Sequence, residues 1–336
     1  MAYLIIVNLS IFNFRMVINK DFKIFFVRLL IFCGILFLID RGLGLIFERL
    51  NKNQKAGKYT ASNIAFINAG EDVIIFGPST ARNNYNVPKM ATVLNMSVRS
   101  VAEPAMCPMF HDVQLHFILH RHLPKLVIMD IRSQELIGKG YEQPALISLL
   151  LPYYNQETKD YFSVLNNSKD FKEDVFESKL SLLYKYNSQL LYLFQSNYFP
   201  DKKDIAMIKN RGFDPLPAVA GNQYQKLQFI DYGFTNTPRE QLVYNSIYDF
   251  IQSAQKCGVK VIIIIPPKFY KTNDQTLLNQ FKNLISLKYG HILYDFSSDT
   301  TFSNHPGFFA NRLHLNNIGA DIYTNRILKI VKETLK

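Results

Sequence analysis

The chain alternates short, mostly apolar runs with longer segments in which apolar residues recur every three or four positions. The short runs are bounded by Gly, Pro or charged residues, which is typical of buried parallel strands. They predict strands at residues 73–76, 92–96, 126–131, 259–265 and 291–295. The periodic segments predict helices at residues 105–122, 239–256 and 275–289, and a last one from Asn316 onward. Strand and helix therefore alternate along most of the chain.

This alternation predicts an α/β protein with a doubly wound, flavodoxin-like parallel sheet of about five strands. Residues 136–235 do not continue it, because they carry Tyr and Phe at many positions around helical patches and a turn-rich stretch. We therefore expect a mostly helical insertion at about 136–235 that covers one side of a pocket.

An apolar segment near the amino terminus predicts a membrane anchor. Residues 24–39 are apolar except for Arg28, and the run resumes over residues 43–47 after Asp40 and Arg41. A helix over 24–47 exceeds the roughly 20 residues that cross a bilayer. A cleaved signal peptide is the alternative, but no small-x-small cleavage site follows the run. We therefore expect an uncleaved, single-pass signal anchor that contacts the lipid bilayer through residues 24–47.

The anchor divides the chain into segments. Basic residues at 15, 20 and 23 place residues 1–23 on the cytoplasmic side and the globular domain outside the cytoplasm, at the cell membrane. Residues 1–15 form a further apolar stretch too short to span, and an anchor beginning at Met16 has the more ordinary order, which makes those fifteen residues a candidate start-site artefact. The polar stretch 48–70 predicts a linker. Residues 71–336 are the predicted globular domain.

Composition and charge exclude several classes of protein. The 336 residues are 48% hydrophobic, too apolar for a disordered chain. The net charge of +11 comes from scattered basic residues, so we expect no nucleic-acid partner and instead a basic surface near anionic lipid or glycan. Three cysteines without a Cys-x-x-Cys or His-rich spacing indicate no structural metal. No Gly-rich phosphate loop follows the first strand, and we expect no cofactor.

Ser79 follows the first strand of this domain, directly after the breaker Gly77-Pro78. The carboxyl ends of parallel strands face the crevice in which α/β sheets bind ligands, which makes Ser79 a candidate nucleophile. Serine is also a favoured helix N-cap, and this stretch alone favours the N-cap interpretation.

His314 lies in the loop before the last predicted helix, and that loop returns to the sheet edge that carries Ser79. A histidine there is able to accept the serine proton, and Asn311, three residues earlier, is able to fix its tautomer. A lone loop histidine is more often a surface residue or a cap. Its pairing with a strand-end serine at the other end of the domain favours catalysis.

These two motifs give the chain a resemblance to the SGNH (GDSL-like) hydrolase superfamily, in particular to its membrane-anchored branch linked to O-acylation of cell-envelope polymers. Gly77-Pro78-Ser79 resembles the nucleophile block, and His314 with the following Leu, Asn and Gly-Ala resembles the terminal histidine block. The resemblance covers about residues 70–335, although only the two end motifs are specific. It implies that Ser79 is the nucleophile and His314 the general base.

The chain departs from the family pattern at three places. Asn311 stands where the family has Asp, and Asp295 and Asp299 are the nearby alternatives. The second block has no glycine to offer an N–H to the oxyanion, which leaves Ser97 or Ser100 as candidate donors. The third block has no Asn. Arg132 stands nearby as a candidate oxyanion ligand or as the ion-pair partner of Asp130.

Two hypotheses about function follow. The first is a membrane-anchored serine esterase or O-acyltransferase that acts outside the cytoplasm on an acylated envelope glycan or a small ester. The second is a catalytically weak or inactive relative that binds an envelope polymer or a membrane-bound acyltransferase. Retention of Ser79 and His314 favours the first, and the three departures favour the second.

Overall fold

The computed structural model describes residues 20–137, 143–166, 168–217, 229–230, 238–272 and 275–336. Residues 1–19 lie outside these ranges, and they include most of the predicted cytoplasmic lead and the proposed start at Met16. Parts of the predicted insertion also lie outside them.

A five-stranded, all-parallel sheet forms the centre of the protein. The strands of the described residues are β1 (Val73–Phe76), β2 (Val98–Ser100), β3 (Leu126–Asp130), β4 (Phe229–Ile230), β5 (Lys260–Ile265), β6 (Lys271–Thr272) and β7 (Leu293–Asp295). The sheet has the order β2-β1-β3-β5-β7, and β4 and β6 form a separate parallel pair. The expectation of an α/β protein with a parallel sheet of about five strands is confirmed.

Helices surround this sheet. Those of the described residues are α1 (Lys20–Lys52), α2 (Thr60–Ile67), α3 (Ser79–Asn83), α4 (Val87–Leu94), α5 (Pro108–Arg121), α6 (Gln143–Leu150), α7 (Lys169–Leu180), α8 (Leu190–Tyr198), α9 (Lys202–Lys209), α10 (Pro238–Lys256), α11 (Gln275–Tyr289), α12 (Thr300–Ser303) and α13 (Asn317–Leu335). Helices α6 to α9 lie between β3 and α10 in the chain, where the insertion was predicted.

The first strand, β1, is apolar throughout because both faces of the sheet are covered there. Ile74 and Phe76 point into a core that α5, α10 and α11 complete, and Phe76 packs edge-on against Phe250 of α10. Val73 and Ile75 point the other way, into a core that α4 and α13 complete. All four strand residues are fully buried, which explains why β1 shows no alternation of apolar and polar positions.

The strand predicted at residues 92–96 is wrong, because α4 continues through Leu94. Asn95 then ends the helix in the left-handed conformation (φ 51°), and β2 begins only at Val98. Val87 and Met90 are fully buried with a spacing of three, so a helical period was present in the sequence but was obscured by the following apolar residues.

The predicted linker at residues 48–70 is also wrong. The first helix runs on to Lys52, and α2 packs against α5. Ala61, Ala65 and Phe66 are buried there, and the Phe66 ring packs edge-on against Phe110. The Lys- and Asn-rich composition of the stretch hid this apolar stripe at helical spacing.

The first helix is 33 residues long, and its apolar side chains from Phe22 to Ile39 are exposed. Among the described residues it is the one helix long and apolar enough to cross a membrane. Its next residues join the body of the protein. Asp40 accepts a hydrogen bond from the N–H of Leu182 (2.9 Å), and Arg41 donates one to the carbonyl of Leu180 (2.9 Å). The predicted anchor thus corresponds to part of a longer helix.

Gly77 allows the sharp turn between β1 and α3. Its φ of +141° is rarely adopted by other residues, and a Cβ there would lie 2.7 Å from the carbonyl oxygen of Asp130 at the end of β3. The turn that presents Ser79 therefore depends on a close contact between two backbones.

We expect Gly77→Ala to lower the free energy of unfolding by about 2–4 kcal/mol, since it adds a backbone clash to an unfavourable φ. Gly258→Ala is the matched control. Gly258 also has a positive φ (+75°), but a Cβ there meets no atom within 4 Å, so the loss should be only about 1 kcal/mol. Urea unfolding of the detergent-solubilised protein measures both. Equal losses would contradict the importance of the close contact.

Candidate active site

Ser79 is the first residue of α3, and Pro78 occupies the N-cap position without a side-chain cap. The serine hydroxyl is therefore not used to cap the helix. It instead lies 2.7 Å from Nε2 of His314. The structure thus brings together the two residues that lie 235 positions apart in the chain.

Three contacts hold the loop that carries His314. The N–H of Leu315 donates to Oδ1 of Asn84 (3.0 Å), the residue that ends α3. Leu315 also forms an isolated antiparallel bridge with Phe309. Asn316 then caps α13 by accepting from two N–H groups of its first turn. The loop is consequently bound directly to the helix that presents Ser79. No motif in the sequence indicated that Asn84 makes this contact.

Asn311 orients the imidazole. Its Oδ1 lies 2.9 Å from Nδ1 of His314 and also accepts from the backbone N–H groups of Leu313 (2.9 Å) and His314 (3.0 Å). Two N–H donors identify this atom as the amide oxygen, so Nδ1 must carry the proton. Nε2 then presents its lone pair to the Ser79 hydroxyl, as a general base requires.

The imidazole is held in its neutral form. Burial, together with the smaller effect of the positive charge of Arg132, lowers the pKa of His314 to about 4. Because this pKa lies below that of an ordinary histidine, 6.5, protonation opposes folding. The free energy of unfolding is therefore expected to fall as the pH falls from 6.5 toward 4. Above pH 6.5, His314 is uncharged in the folded and the unfolded chain and does not make stability depend on pH.

Neither aspartate named as an alternative to Asn311 supports the histidine. Asp295 is paired with Lys282 (2.9 Å), and Asp299 caps α12 and is paired with Arg326 (3.0 Å).

The two serines expected to donate to an oxyanion are committed elsewhere, and these expectations are wrong. Ser97 precedes β2 rather than following it, so it lies at the amino edge of the sheet, where its N–H and hydroxyl both donate to Asp72. Ser100 is fully buried. Its N–H donates to the carbonyl of Arg211 (2.9 Å) and its hydroxyl to the carbonyl of Ala81 (3.2 Å).

Arg132 lies beside the site. Its guanidinium donates to Glu135 through Nε (2.9 Å) and Nη2 (2.7 Å), and both side chains are buried. The anticipated pairing of Arg132 with Asp130 is replaced by this one. Arg132 and Lys268 line a crevice of about 10 Å³, room for roughly one water molecule, next to Thr80.

A buried network beneath Ser79 was not anticipated. Asp130, the last residue of β3, accepts hydrogen bonds from the hydroxyls of Thr80 and Tyr85 (2.8 Å). The Tyr85 hydroxyl in turn lies 3.3 Å from that of Tyr323 in α13. Burial raises the pKa of Asp130 to about 7, although both hydrogen bonds oppose the shift. The carboxylate of Asp130 at the end of a buried strand was the sign of this network in the sequence. In the sequence analysis, Asp130 was considered only as a partner for Arg132.

A larger cavity of about 510 Å³ is lined by the loop after β2, from Glu103 to Met106, and by residues of the predicted insertion that include Leu149 and Tyr184. The N–H of Glu103 donates to the carbonyl of Gly77 (3.0 Å). Neither Ser79 nor His314 lines this cavity, so it is separate from the Ser79–His314 arrangement.

One group among the described residues has a spacing suited to a metal ion. Asp112 and His116 of α5 and Asp249 of α10 place their ligand atoms within 4.8 Å of one another. His116 Nε2 is 2.8 Å from Asp249, an ordinary ion-pair distance. The group lies where α5 packs on α10, and none of its members contributes to the Ser79–His314 arrangement.

Comparison with known proteins returned neither a matching family model nor a significantly similar curated protein.

We predict that Asn311→Asp raises the pKa of His314 by about 1–3, because a carboxylate beside Nδ1 stabilises the imidazolium. The Asp retains the oxygen that accepts the two loop N–H groups. Titration of the His314 imidazole by NMR, with Asn311→Ala as the control that removes the acceptor without adding charge, measures this shift. An unchanged pKa in Asn311→Asp would show that residue 311 does not contact the ring in solution.

Proposed function

We propose that the protein is a membrane-anchored serine esterase or O-acyltransferase of the SGNH kind. Its substrate would be an acylated glycan of the cell envelope or a related ester, outside the cytoplasm. The observation that supports this most directly is the continuous hydrogen-bond path from the Ser79 hydroxyl through the His314 ring to Asn311. The all-parallel main sheet also supports the proposal, because Ser79 follows β1 at the carboxyl edge, where such sheets bind ligands.

In the first half of the reaction, Ser79 Oγ attacks the carbonyl carbon of an ester while His314 Nε2 takes the hydroxyl proton. The carbonyl oxygen becomes an oxyanion. Ser79 and Thr80 occupy the first two positions of α3, whose N–H groups have no acceptor within the helix and are suited to bind that charge. The C–O bond to the leaving alcohol then breaks, and the imidazolium returns its proton to that oxygen.

In the second half, His314 accepts a proton from the incoming nucleophile, which attacks the carbonyl carbon of the Ser79 ester. The bond from that carbon to Ser79 Oγ then breaks, and the imidazolium returns its proton to Oγ. Water as the nucleophile gives an esterase, and a glycan hydroxyl gives an O-acyltransferase. The neutral histidine favours proton acceptance in each half, whereas the amide of Asn311 stabilises the resulting imidazolium less than a carboxylate would.

One feature favours the second candidate function, an inactive relative that binds an envelope polymer or a membrane-bound acyltransferase. Among the residues that the structure describes, His314 has no carboxylate partner, and in a serine protease an Asp-to-Asn change at that position costs about 10⁴ in rate. The commitment of Ser97 and Ser100 to other partners removes two potential oxyanion donors in the same direction.

We expect a fluorophosphonate probe to label Ser79 of the detergent-solubilised protein, because the probe requires an activated serine hydroxyl. Labelling should be lost in Ser79→Ala and fall to background in His314→Ala. Ser97→Ala is the control, since it removes a hydroxyl at the opposite edge of the sheet. Mass spectrometry of the labelled peptide identifies the site. An unlabelled Ser79, beside a serine hydrolase that reacts in the same tube, would favour the binding candidate.

We predict that Asn311→Asp raises the rate of ester hydrolysis at least about tenfold, since the carboxylate stabilises the imidazolium formed in the transition state. A series of p-nitrophenyl esters provides the assay, and the double variant Ser79→Ala/Asn311→Asp measures the background. A rate that does not change while the His314 pKa rises would mean that the histidine is not the base.

A further inference from the structure

Two helices of the insertion present apolar side chains to the exterior. On α8, the exposed residues Leu191, Phe194 and Tyr198 recur at spacings of three and four, and Phe199 follows them. On α7, Phe176 and Leu180 have the same spacing and are each 59% exposed. The other side of α8 is buried and includes Leu193 and Asn197. We refer to the exposed residues 176, 180, 191, 194, 198 and 199 as the outer apolar face.

Isolated exposed apolar residues are common on soluble proteins, but a set that recurs at helical spacing on two helices indicates contact with another apolar phase. On a helix at the surface of a soluble protein, the face opposite the core is normally polar. The α8 helix shows the reverse order, with Ser196 and Asn197 inside and Leu191 outside.

The outer apolar face is continuous with the exposed part of α1. Arg41 of α1 donates to the carbonyls of Lys179 and Leu180, the last two residues of α7. Further along, Asn197 of α8 donates to the carbonyl of Leu50 (2.9 Å), so α8 also lies against α1. The α7 helix is therefore fixed at the end of the exposed apolar part of α1, and α8 is fixed to α1 nine residues further along, just beyond the predicted span.

The length of α1 sets the height of this attachment. At a rise of about 1.5 Å per residue, the 19 steps from Phe22 to Arg41 cover about 29 Å, close to the thickness of a hydrocarbon core of about 30 Å. Leu180, bound to Arg41, then lies where the acyl chains give way to headgroups. The exposed apolar side of α1 continues to Ile46, which extends the boundary region toward α8.

The neighbouring chemistry suits this boundary. Tyr192 and Tyr198 are aromatic residues with a polar tip, the type enriched at membrane interfaces. The ammonium of Lys58 lies 5.4 Å from the Tyr192 ring. On α7 the three lysines are balanced by four acidic residues, so the preference of this surface for lipid comes from the apolar and aromatic side chains and not from charge.

We propose that the outer apolar face of α7 and α8 is inserted into the headgroup–acyl boundary of the bilayer that α1 spans. The occupant of this surface is lipid rather than a protein partner, because the face is continuous with an apolar helix whose exposed side has the length of a bilayer. The insertion is then a membrane-contacting element as well as a wall of the 510 Å³ cavity.

The absence of tryptophan from the sequence permits a direct test. Leu191→Trp places a single fluorophore on the outer apolar face, and Leu287→Trp places one on α11. The two leucines are matched in exposure, at 85% and 86%. Each full-length variant is reconstituted into liposomes with and without lipids brominated on the acyl chain. Phe32→Trp, within the exposed apolar part of α1, verifies the reconstitution.

The proposal predicts strong loss of fluorescence with brominated lipid, and emission at shorter wavelength, for Leu191→Trp and Phe32→Trp but not for Leu287→Trp. Phe194→Trp repeats the measurement should Leu191→Trp fail to fold by circular dichroism. Quenching of Phe32→Trp without quenching at residues 191 and 194 would overturn the proposal. A short-wavelength emission at those residues without quenching would do the same, since it would mean that protein covers the face. Neither result depends on whether Ser79 reacts.

Discussion

The close contact between Gly77 and the end of β3 determines the geometry of the whole carboxyl edge. Because a glycine passes within van der Waals distance of the Asp130 backbone, the chain turns from β1 into α3 over two residues, Gly77 and Pro78, and Ser79 is the first residue of the helix. The same contact brings Thr80 and Tyr85 over the Asp130 carboxylate. Asn84 at the end of α3 then receives the loop that carries His314. The position of the imidazole thus depends on the close contact between the ends of β1 and β3.

The site combines a neutral base with buried charge. His314 faces an amide rather than a carboxylate, and the nearest buried ion pair, Arg132 with Glu135, contributes positive charge toward the ring. Both effects favour the neutral imidazole. At neutral pH His314 is therefore uncharged and able to accept a proton. The energetic cost would come when the imidazole becomes a charged imidazolium. Asp130 is the nearby acid with a raised pKa, yet its hydrogen bonds serve the turn and not the ring.

Sequence reasoning anticipated the parallel sheet and the joining of Ser79 with His314, because continuous apolar runs and strand-end positions follow simple rules of sheet geometry. It misplaced the second strand, and this one error had a chemical consequence. A strand at 92–96 puts Ser97 after it, at the carboxyl edge, whereas the actual β2 puts Ser97 before it, at the opposite edge. Asn84 was missed because a tertiary contact alone defines its role. Glu135 lies only three residues after Arg132, so its pairing was a local spacing that sequence reasoning overlooked.

The path of α1 has a mechanical consequence. The helix continues without a break from its exposed apolar part to Lys52, and Asp40 and Arg41 bind it to the insertion. With α1 in a bilayer, the body is held at a fixed distance from the membrane, because α1 passes directly into the body. The body would then move by lateral diffusion in two dimensions, and its reach away from the bilayer would be limited to its own dimensions.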